Sequence, residues 1–380
     1  MALSSSLLSM PGRLGLVGLA GLALLAGLWA GLVRIGWPLP PIEPNLVVIH
    51  GPLMLAGFLG LVIGLERAVA LGRPWAFGAP CLAGLGALAL LVGLPVSVGA
   101  ALFVGSSMLL VAVFERIYRL RPEWSTALLM FGTLAWLVGN ALWFAERPLV
   151  AIVPWWVGFL VLTIVGERLE LAQVLLPARS RIALLFAAGL LITGLVLSAV
   201  LFGAGIQLAG LGLLALAGWL LRYDQARRTL GRAGLPRFGA VALLLGYLWL
   251  GVAGIFWLLG PERISGGFWY DAMLHSVFLG FAFSMIFGHA PTIVPAVTGF
   301  AVPFQRRFYV HVVLLHVSLV VRIVGDLATW PEARRWGGLF NAIAILLFAG
   351  VTFAAVRRGR SAPVPAIPAA RRASAPGKVK

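Results

Sequence analysis

Long apolar stretches separated by short polar segments dominate the hydropathy pattern of the chain. An apolar run of about 20 residues can cross the hydrocarbon core of a bilayer as an α-helix. Such runs lie near 14–33, 46–66, 75–94, 97–115, 126–145, 149–168, 182–203, 205–221, 237–260, 271–290, 308–327 and 337–356. The pattern predicts an all-α, polytopic membrane helical bundle of about 12 transmembrane helices, with residues 1–356 as one transmembrane domain.

Basic residues are distributed unequally between the two sets of connecting segments. If the amino terminus is cytoplasmic, the outer loops hold only Arg34, Arg147, Arg263, Arg334 and Arg335. The inner segments and the tail hold all other basic residues except Arg322, which is inside the eleventh predicted helix. Because cytoplasmic loops are enriched in arginine and lysine, we expect both termini in the cytoplasm and a multi-pass protein of the bacterial inner (plasma) membrane.

Composition agrees with a membrane protein. Hydrophobic residues make up 61% of the chain and charged residues 11%, whereas soluble domains contain about 45–50% and about 25%. The net charge of +17 follows the helix topology, so it predicts lipid headgroups and not nucleic acid as the partner. Residues 357–380 lack apolar periodicity and predict a disordered, basic cytoplasmic tail. The single cysteine, Cys81, excludes a disulfide, and the lack of a C-x-x-C-H run excludes covalent c-type haem.

A Glu-Arg dipeptide recurs at the inner ends of three predicted helices, as Glu66-Arg67, Glu115-Arg116 and Glu167-Arg168. The spacing of 49 and then 52 residues corresponds to one helical hairpin per unit, which is typical of a diverged repeat. One interpretation is that the arginines extend toward lipid headgroups. The other is that one of the three glutamates opens a proton path.

All five histidines lie within or at the edge of predicted spanning helices: His50, His275, His289, His311 and His316. An imidazole at membrane depth is costly and indicates a functional site, and imidazole is the usual protein ligand of haem iron and copper. His50 and His275 are predicted at about 7 and about 6 Å below the outer boundary. One histidine at this depth on each of two helices meets the minimum requirement for bis-imidazole ligation of a haem. The alternative is that each histidine bonds to a neighbouring carbonyl or hydroxyl group.

The other three histidines are predicted nearer the cytoplasm. His289 follows His275 by fourteen residues, so a continuous α-helix would place both on one face about 21 Å apart. His311 is predicted at about the depth of His289, and His316 points roughly 140° away from His311. His289 with either His311 or His316 is therefore predicted to form a second haem or metal position.

Arg322 is a lone arginine inside the eleventh predicted helix, and Asp326 follows it by one turn. One interpretation is an ion pair between these two residues, which would contribute little energy. The other is that Arg322 binds the propionates of a haem held by His50 and His275.

Several strings carry a resemblance. ALLLGYLWLGVAGIFWLLG, DAMLHSVFLGFAFSMIFGHAPTIVPAVTG and VVLLHVSLVVRIVGDL resemble the carboxyl half of the NnrS-like membrane proteins. HGPLMLAGF resembles that family's early histidine-bearing helix. It also resembles, more distantly, the start of the second helix of haem-copper oxidase subunit I, where the histidine ligates low-spin haem. The resemblance implies twelve helices, haem and copper, a link to nitric oxide stress, and His50 and His275 as ligands.

The chain departs from that family at three points. Pro52 and Leu53 stand where the family has a second histidine and a glutamate, and Val297 stands where it has the histidine of a Gly-His-Thr-Gly string. Adjacent histidines occur nowhere in the sequence. These departures argue against a copper centre, so haem b is the predicted cofactor.

The sequence thus predicts an integral membrane haem b protein that handles or senses nitric oxide or a related small nitrogen species. It leaves open whether the protein is an enzyme. The alternative is a proton- or metal-coupled secondary transporter, in which the histidines with Glu66, Glu115 or Glu167 relay protons or carry an ion. A scaffold or assembly factor is a third interpretation, supported only by the basic tail.

Overall fold

Twelve long apolar helices make up the computed structural model, which describes residues 8–40, 42, 44–172, 177–263 and 266–360. They are α1 (Met10–Arg34), α2 (Leu46–Leu71), α3 (Pro74–Leu91), α4 (Val96–Leu120), α5 (Trp124–Phe144), α6 (Leu149–Ala172), α7 (Ala178–Ser198), α8 (Phe202–Thr229), α9 (Leu235–Leu259), α10 (Gly267–Thr298), α11 (Phe308–Leu327) and α12 (Pro331–Arg360). Each is long and apolar enough to span a bilayer, and the described residues form no strand. The predicted all-α, twelve-helix membrane bundle is confirmed, and the protein is a multi-pass membrane protein.

Two helix ends differ from the predicted ones. α10 continues through Pro291 and Pro295 and ends at Gly299, whose φ of 71° terminates the helix. The predicted span ended near residue 290, but membrane helices tolerate proline because neighbouring groups satisfy the freed carbonyls. α12 extends to Arg360, so residues 357–360 are helical and do not belong to a disordered tail. Residues 361–380 of the predicted tail lie outside the described residues.

Most helices that are adjacent in the sequence pack against one another, and α1 contacts both α2 and α12. Small residues allow the closest approaches. A Cβ atom on Gly205 would lie 2.2 Å from the backbone nitrogen of Ser198, and one on Gly194 would lie 2.3 Å from that of Ala209. The backbones of α7 and α8 therefore touch, as is typical of helix pairs in lipid. α2 also contacts α10, which brings two distant parts of the chain together.

α2 and α10 each contain a π-helical segment, Leu53–Gly60 and Ser276–Phe283. π-Helical turns are rare and frequently lie at functional sites. The first segment follows Pro52, which has no N–H and so cannot continue the α-helical hydrogen bonding. Both segments begin within three residues of a histidine, His50 or His275.

The π-helical segment of α10 corrects the predicted phase between His275 and His289. The prediction assumed 3.6 residues per turn throughout, but eight of the intervening residues have the wider π-helical turn. The two imidazoles accordingly contact different helices. His275 lies beside an ion cluster that includes α11, whereas His289 bonds to α6.

Candidate functional site

His50 lies in the first turns of α2 and is held against α1. Its Nδ1–H donates a hydrogen bond to the backbone carbonyl of Gly27 at 2.7 Å. A Cβ atom on Gly31 would lie 2.9 Å from Cε1 of the imidazole, so only glycine leaves room for the ring there. The Gly27-x-x-x-Gly31 pair of α1 thus provides both the acceptor and the space for His50.

His275 lies in α10, immediately before the π-helical segment. Its Nδ1–H donates to the carbonyl of Asp271 at 2.8 Å, one turn earlier in the same helix. The Asp271 carboxylate is also close, with Oδ1 at 3.4 Å from Nδ1. One residue therefore orients His275 through both its backbone and its side chain.

The two histidines share one hydrogen-bonding arrangement. A carbonyl oxygen can only accept, so Nδ1 carries the proton in each ring, and Nε2 of the neutral imidazole has the lone pair. In the part of the chain that the structure describes, neither Nε2 has a hydrogen-bond partner. This is the arrangement that metal-ligating histidines adopt, because the Nδ1–H bond fixes the tautomer and the ring orientation.

Both histidines lie at a similar height in the bundle. α2 and α10 run in the same direction, since each follows an odd number of membrane crossings. Phe58 and Phe283, each eight residues after its histidine, stack with ring centroids 6.0 Å apart. Equal offsets from a shared contact place His50 and His275 at matching depth.

A cluster of four charged residues lies beside His275. Arg322 donates from Nε and Nη2 to the two Asp271 oxygens at 2.9 and 3.1 Å. Arg334 reaches Asp271 at 3.4 Å and Asp326 at 3.0 Å. The predicted alternative of an Arg322–Asp326 pair is wrong, because the Arg322 guanidinium bonds to the Asp271 carboxylate of α10. Arg322 is 8% exposed, so the predicted cation is buried next to the histidine pair.

His289 belongs to a second buried network nearer the other end of the bundle. Arg168 forms a two-pronged pair with Asp224, at 2.7 and 2.8 Å, and its Nη1 donates to Nε2 of His289 at 3.2 Å. Nδ1–H of His289 donates to the carbonyl of Met285 at 2.9 Å. Both ring nitrogens of His289 are thus occupied by protein groups.

The repeated Glu-Arg dipeptides have different environments. Arg67 bonds to Glu167 and lies 3.7 Å from its neighbour Glu66. Glu115 instead pairs with Arg119 on an exposed part of α4. Two of the three dipeptides therefore join one partly buried ionic network, and the interpretation that all three arginines simply extend to headgroups is wrong for Arg67 and Arg168.

His316 and His311 have contrasting surroundings. Trp249 donates from Nε1 to Nδ1 of His316 at 2.8 Å, so Nε2 carries the proton and faces Ser284 Oγ at 3.4 Å. His311 is 2% exposed, and neither of its nitrogens has a hydrogen-bond partner among the described residues. Its ring is surrounded by four aromatic side chains, those of Phe238, Phe287, Phe308 and Phe348.

The three inner histidines are not joined by any contact in the described ranges, and those ranges contain no group of three or more His, Cys, Asp or Glu side chains that could hold a metal ion. A metal position formed by His289 with His311 or His316 stays a prediction. The structure places His50 and His275 at similar height on two helices that contact each other, and leaves the other three histidines in separate environments.

Sequence reasoning missed several residues that position the histidines, among them Gly27, Gly31, Asp271, Asp224 and Arg334. Gly27 and Gly31 form a small-residue motif that recurs by chance in a chain with 47 glycines, so its role depends on the opposing His50. Asp224 is near the end of α8, among four arginines that indicate only the cytoplasmic side. The signal that could have identified Asp224 was its position as a lone acidic residue in this basic segment.

Comparison with known families gives one match. Residues 13–357 match the family described as Domain of unknown function (DUF8744). No curated protein matches the chain significantly. The family match covers all twelve helices apart from the first residues of α1 and the last residues of α12.

Proposed function

The chain belongs to the DUF8744 family, and from its residues we propose that it binds haem b through His50 and His275. The proposed role is redox handling or sensing of nitric oxide or a related small nitrogen species, in a bacterial inner membrane with both termini cytoplasmic. The geometry around His50 and His275 supports haem as the proposed cofactor. The resemblance of the surrounding strings to NnrS-like proteins supports nitric oxide or a related species as the proposed ligand.

One observation carries the proposal. Two parallel helices present one imidazole each at matching depth, both fixed through Nδ1–H and both with an unengaged Nε2. His289 and His316, by contrast, have both ring nitrogens bonded to protein groups. The contrast within one molecule favours a ligand role for His50 and His275 over the carbonyl-bonding alternative.

Arg322, buried beside His275, suits a haem propionate. Haem iron, when bound, would supply one-electron redox chemistry, and it would bind a small diatomic molecule on displacement of one of the two imidazoles. Arg322 keeps Nη1 without a hydrogen bond among the described residues, so it can donate to a propionate while its other nitrogens bond to Asp271. Asp271 in turn holds His275, which couples the orientation of that imidazole to the arginine.

The test is a visible spectrum and a pyridine haemochrome assay of protein purified from cells supplied with haem precursor. The proposal predicts a Soret band, a haem b haemochrome and a spectral change when nitric oxide is added to the reduced protein. A haem-free preparation from such cells would overturn the cofactor. A haem that is spectrally inert to nitric oxide would overturn only the ligand class.

A second function, a proton-coupled transporter, is favoured by the ionic network of Glu66, Arg67, Glu167, Arg168 and Asp224. Charged groups inside a membrane frequently mark proton relays. Uptake into vesicles that depends on a proton gradient and persists after haem depletion would support transport. If haem depletion also abolished uptake, the result would favour the haem-protein proposal over transport.

A further inference from the structure

A groove runs along the outer surface of α12, with a volume of about 310 Å³. Its walls are apolar, and Arg307, which precedes α11, lies against it. The lining residues on α12 are Ile343, Leu346, Leu347, Gly350, Val351 and Ala354. They recur every three or four residues and so form one stripe of the helix, about 16 Å long at the α-helical rise. That length is about half of the hydrocarbon core, the depth of one leaflet.

Arg307 has buried hydrogen-bond donors without a partner. Nε and Nη2 of its guanidinium are inaccessible to water, and neither has an acceptor in the part of the chain that the structure describes. A buried unpaired cation is costly, so an anionic acceptor would stabilise this arrangement.

The surroundings of Arg307 are cationic. Arg306, Arg357 and Arg358 lie on the adjoining segments and are exposed. Residues 299–307 and 343–360 contain no aspartate or glutamate. The protein therefore supplies no carboxylate from these segments, and the local charge favours an anion from outside the chain.

Gly350 forms the floor of the groove. A Cβ atom added there would meet no other atom within 4 Å. The space above α12 is thus open at this position, and a chain about as wide as a hydrocarbon tail could lie against the backbone. The flanking Leu346 and Leu347 are exposed on the same surface.

We propose that an anionic phospholipid occupies this groove, with its phosphate bound by Arg307 and one acyl chain along α12. Two parallel N–H donors of a guanidinium match two oxygens of a phosphate, which makes arginine well suited to this role. Because Nε and Nη2 of Arg307 are buried, its side chain must rotate toward the groove to present both donors. Arg307 lies at the end of the groove nearest the membrane surface, and the apolar stripe extends from there about one leaflet into the bilayer. A phospholipid has the same arrangement, with a charged headgroup at the surface and acyl chains in the leaflet. A net negative headgroup is preferred over a zwitterionic one because no acidic residue on these segments would attract a choline or ethanolamine cation.

The test measures lipid binding to the purified full-length protein by native mass spectrometry, with phosphatidylglycerol and phosphatidylcholine titrated separately. R307Q removes the phosphate ligand, and G350L fills the groove at a position with open space. R306Q, at the neighbouring exposed arginine, and G218L, at an exposed glycine of α8 that also has open space, are the matched controls.

The wild-type protein should bind phosphatidylglycerol about tenfold more tightly than phosphatidylcholine, since the choline cation of phosphatidylcholine cancels the headgroup charge beside Arg307. R307Q should lose that preference and G350L should weaken the binding of both lipids, while R306Q and G218L should behave like the wild-type protein. Equal loss in R306Q, or unchanged binding in both R307Q and G350L, would overturn the proposal. Displacement of phosphatidylglycerol by inorganic phosphate alone would also overturn it, because the acyl chain would then contribute nothing. If R307Q does not fold, the lipid binding of G350L compared with that of G218L tests the proposal.

Discussion

The Phe58 ring stacks on the Phe283 ring, with centroids 6.0 Å apart and planes 20° from parallel. This contact joins the π-helical segments of α2 and α10 and fixes the relative height of the two helices. Because the same number of residues separates each phenylalanine from its histidine, the contact also sets His50 level with His275. The candidate haem site thus depends on a helix pair from opposite ends of the chain.

Gly31→Ala should disturb His50. The new Cβ atom would lie 2.9 Å from Cε1 and 3.3 Å from Nδ1 of the imidazole, so the ring must move and weaken its bond to Gly27. Overpacking of this kind costs about 1–3 kcal/mol. We expect a lower midpoint of thermal unfolding in detergent and a lower haem content. Gly18→Ala on the same helix meets no atom within 4 Å and should leave both unchanged; equal effects of the two variants would contradict the assignment.

Arg322→Lys should weaken the cluster that holds His275. Lysine cannot reproduce the paired bonds from Nε and Nη2 to Asp271, because its ammonium is a point charge without a planar fork. The expected loss is about 1–3 kcal/mol, with a shifted Soret maximum in the remaining haem-loaded protein. Arg119→Lys, at an arginine with 72% of its side chain exposed, is the control. A stable Arg322→Lys protein with an unaltered spectrum would argue that Arg322 plays no part at the site.

Asp224→Asn should destabilise the protein strongly. The change leaves Arg168 buried, at 7% exposure, without a counter-charge, and breaking a buried pair on one side costs about 3–5 kcal/mol. Glu115→Gln breaks the exposed pair with Arg119 and should cost less than about 1 kcal/mol. Thermal unfolding of both variants checks the difference. Similar losses would mean that the Arg168–Asp224 pair is hydrated and not buried.

His316→Ala tests whether His316 has a structural role or is a haem or metal ligand. The variant leaves the Trp249 indole N–H without its acceptor, which costs about 1–3 kcal/mol when the donor is buried. We therefore expect a lower unfolding midpoint with an unchanged ratio of haem to protein. A lost haem or bound metal in an otherwise folded His316→Ala protein would restore His316 as a ligand.

Hydropathy predicted the helices well because the bilayer demands about 20 apolar residues per crossing whatever the packing. It could not predict the π-helical segments, since hydropathy does not register the backbone hydrogen-bond pattern and a proline precedes only the first of the two. The π-helical segment of α10 also separated His289 from the face of His275. Side-chain partners on other helices could not be predicted either, because sequence spacing shows only neighbours within one helix. Asp326 lies one turn after Arg322, but the partner of Arg322 is Asp271 on another helix.

The ratio of haem to protein in single histidine variants tests the central claim most directly. His50→Ala and His275→Ala should each lose most of the bound haem b while the helical content stays the same, because each removes one imidazole with an unengaged Nε2. His311→Ala should keep the wild-type ratio, since that ring, on α11, lies among the side chains of Phe238, Phe287, Phe308 and Phe348. Full haem occupancy in both His50→Ala and His275→Ala, measured by the pyridine haemochrome assay, would contradict the account.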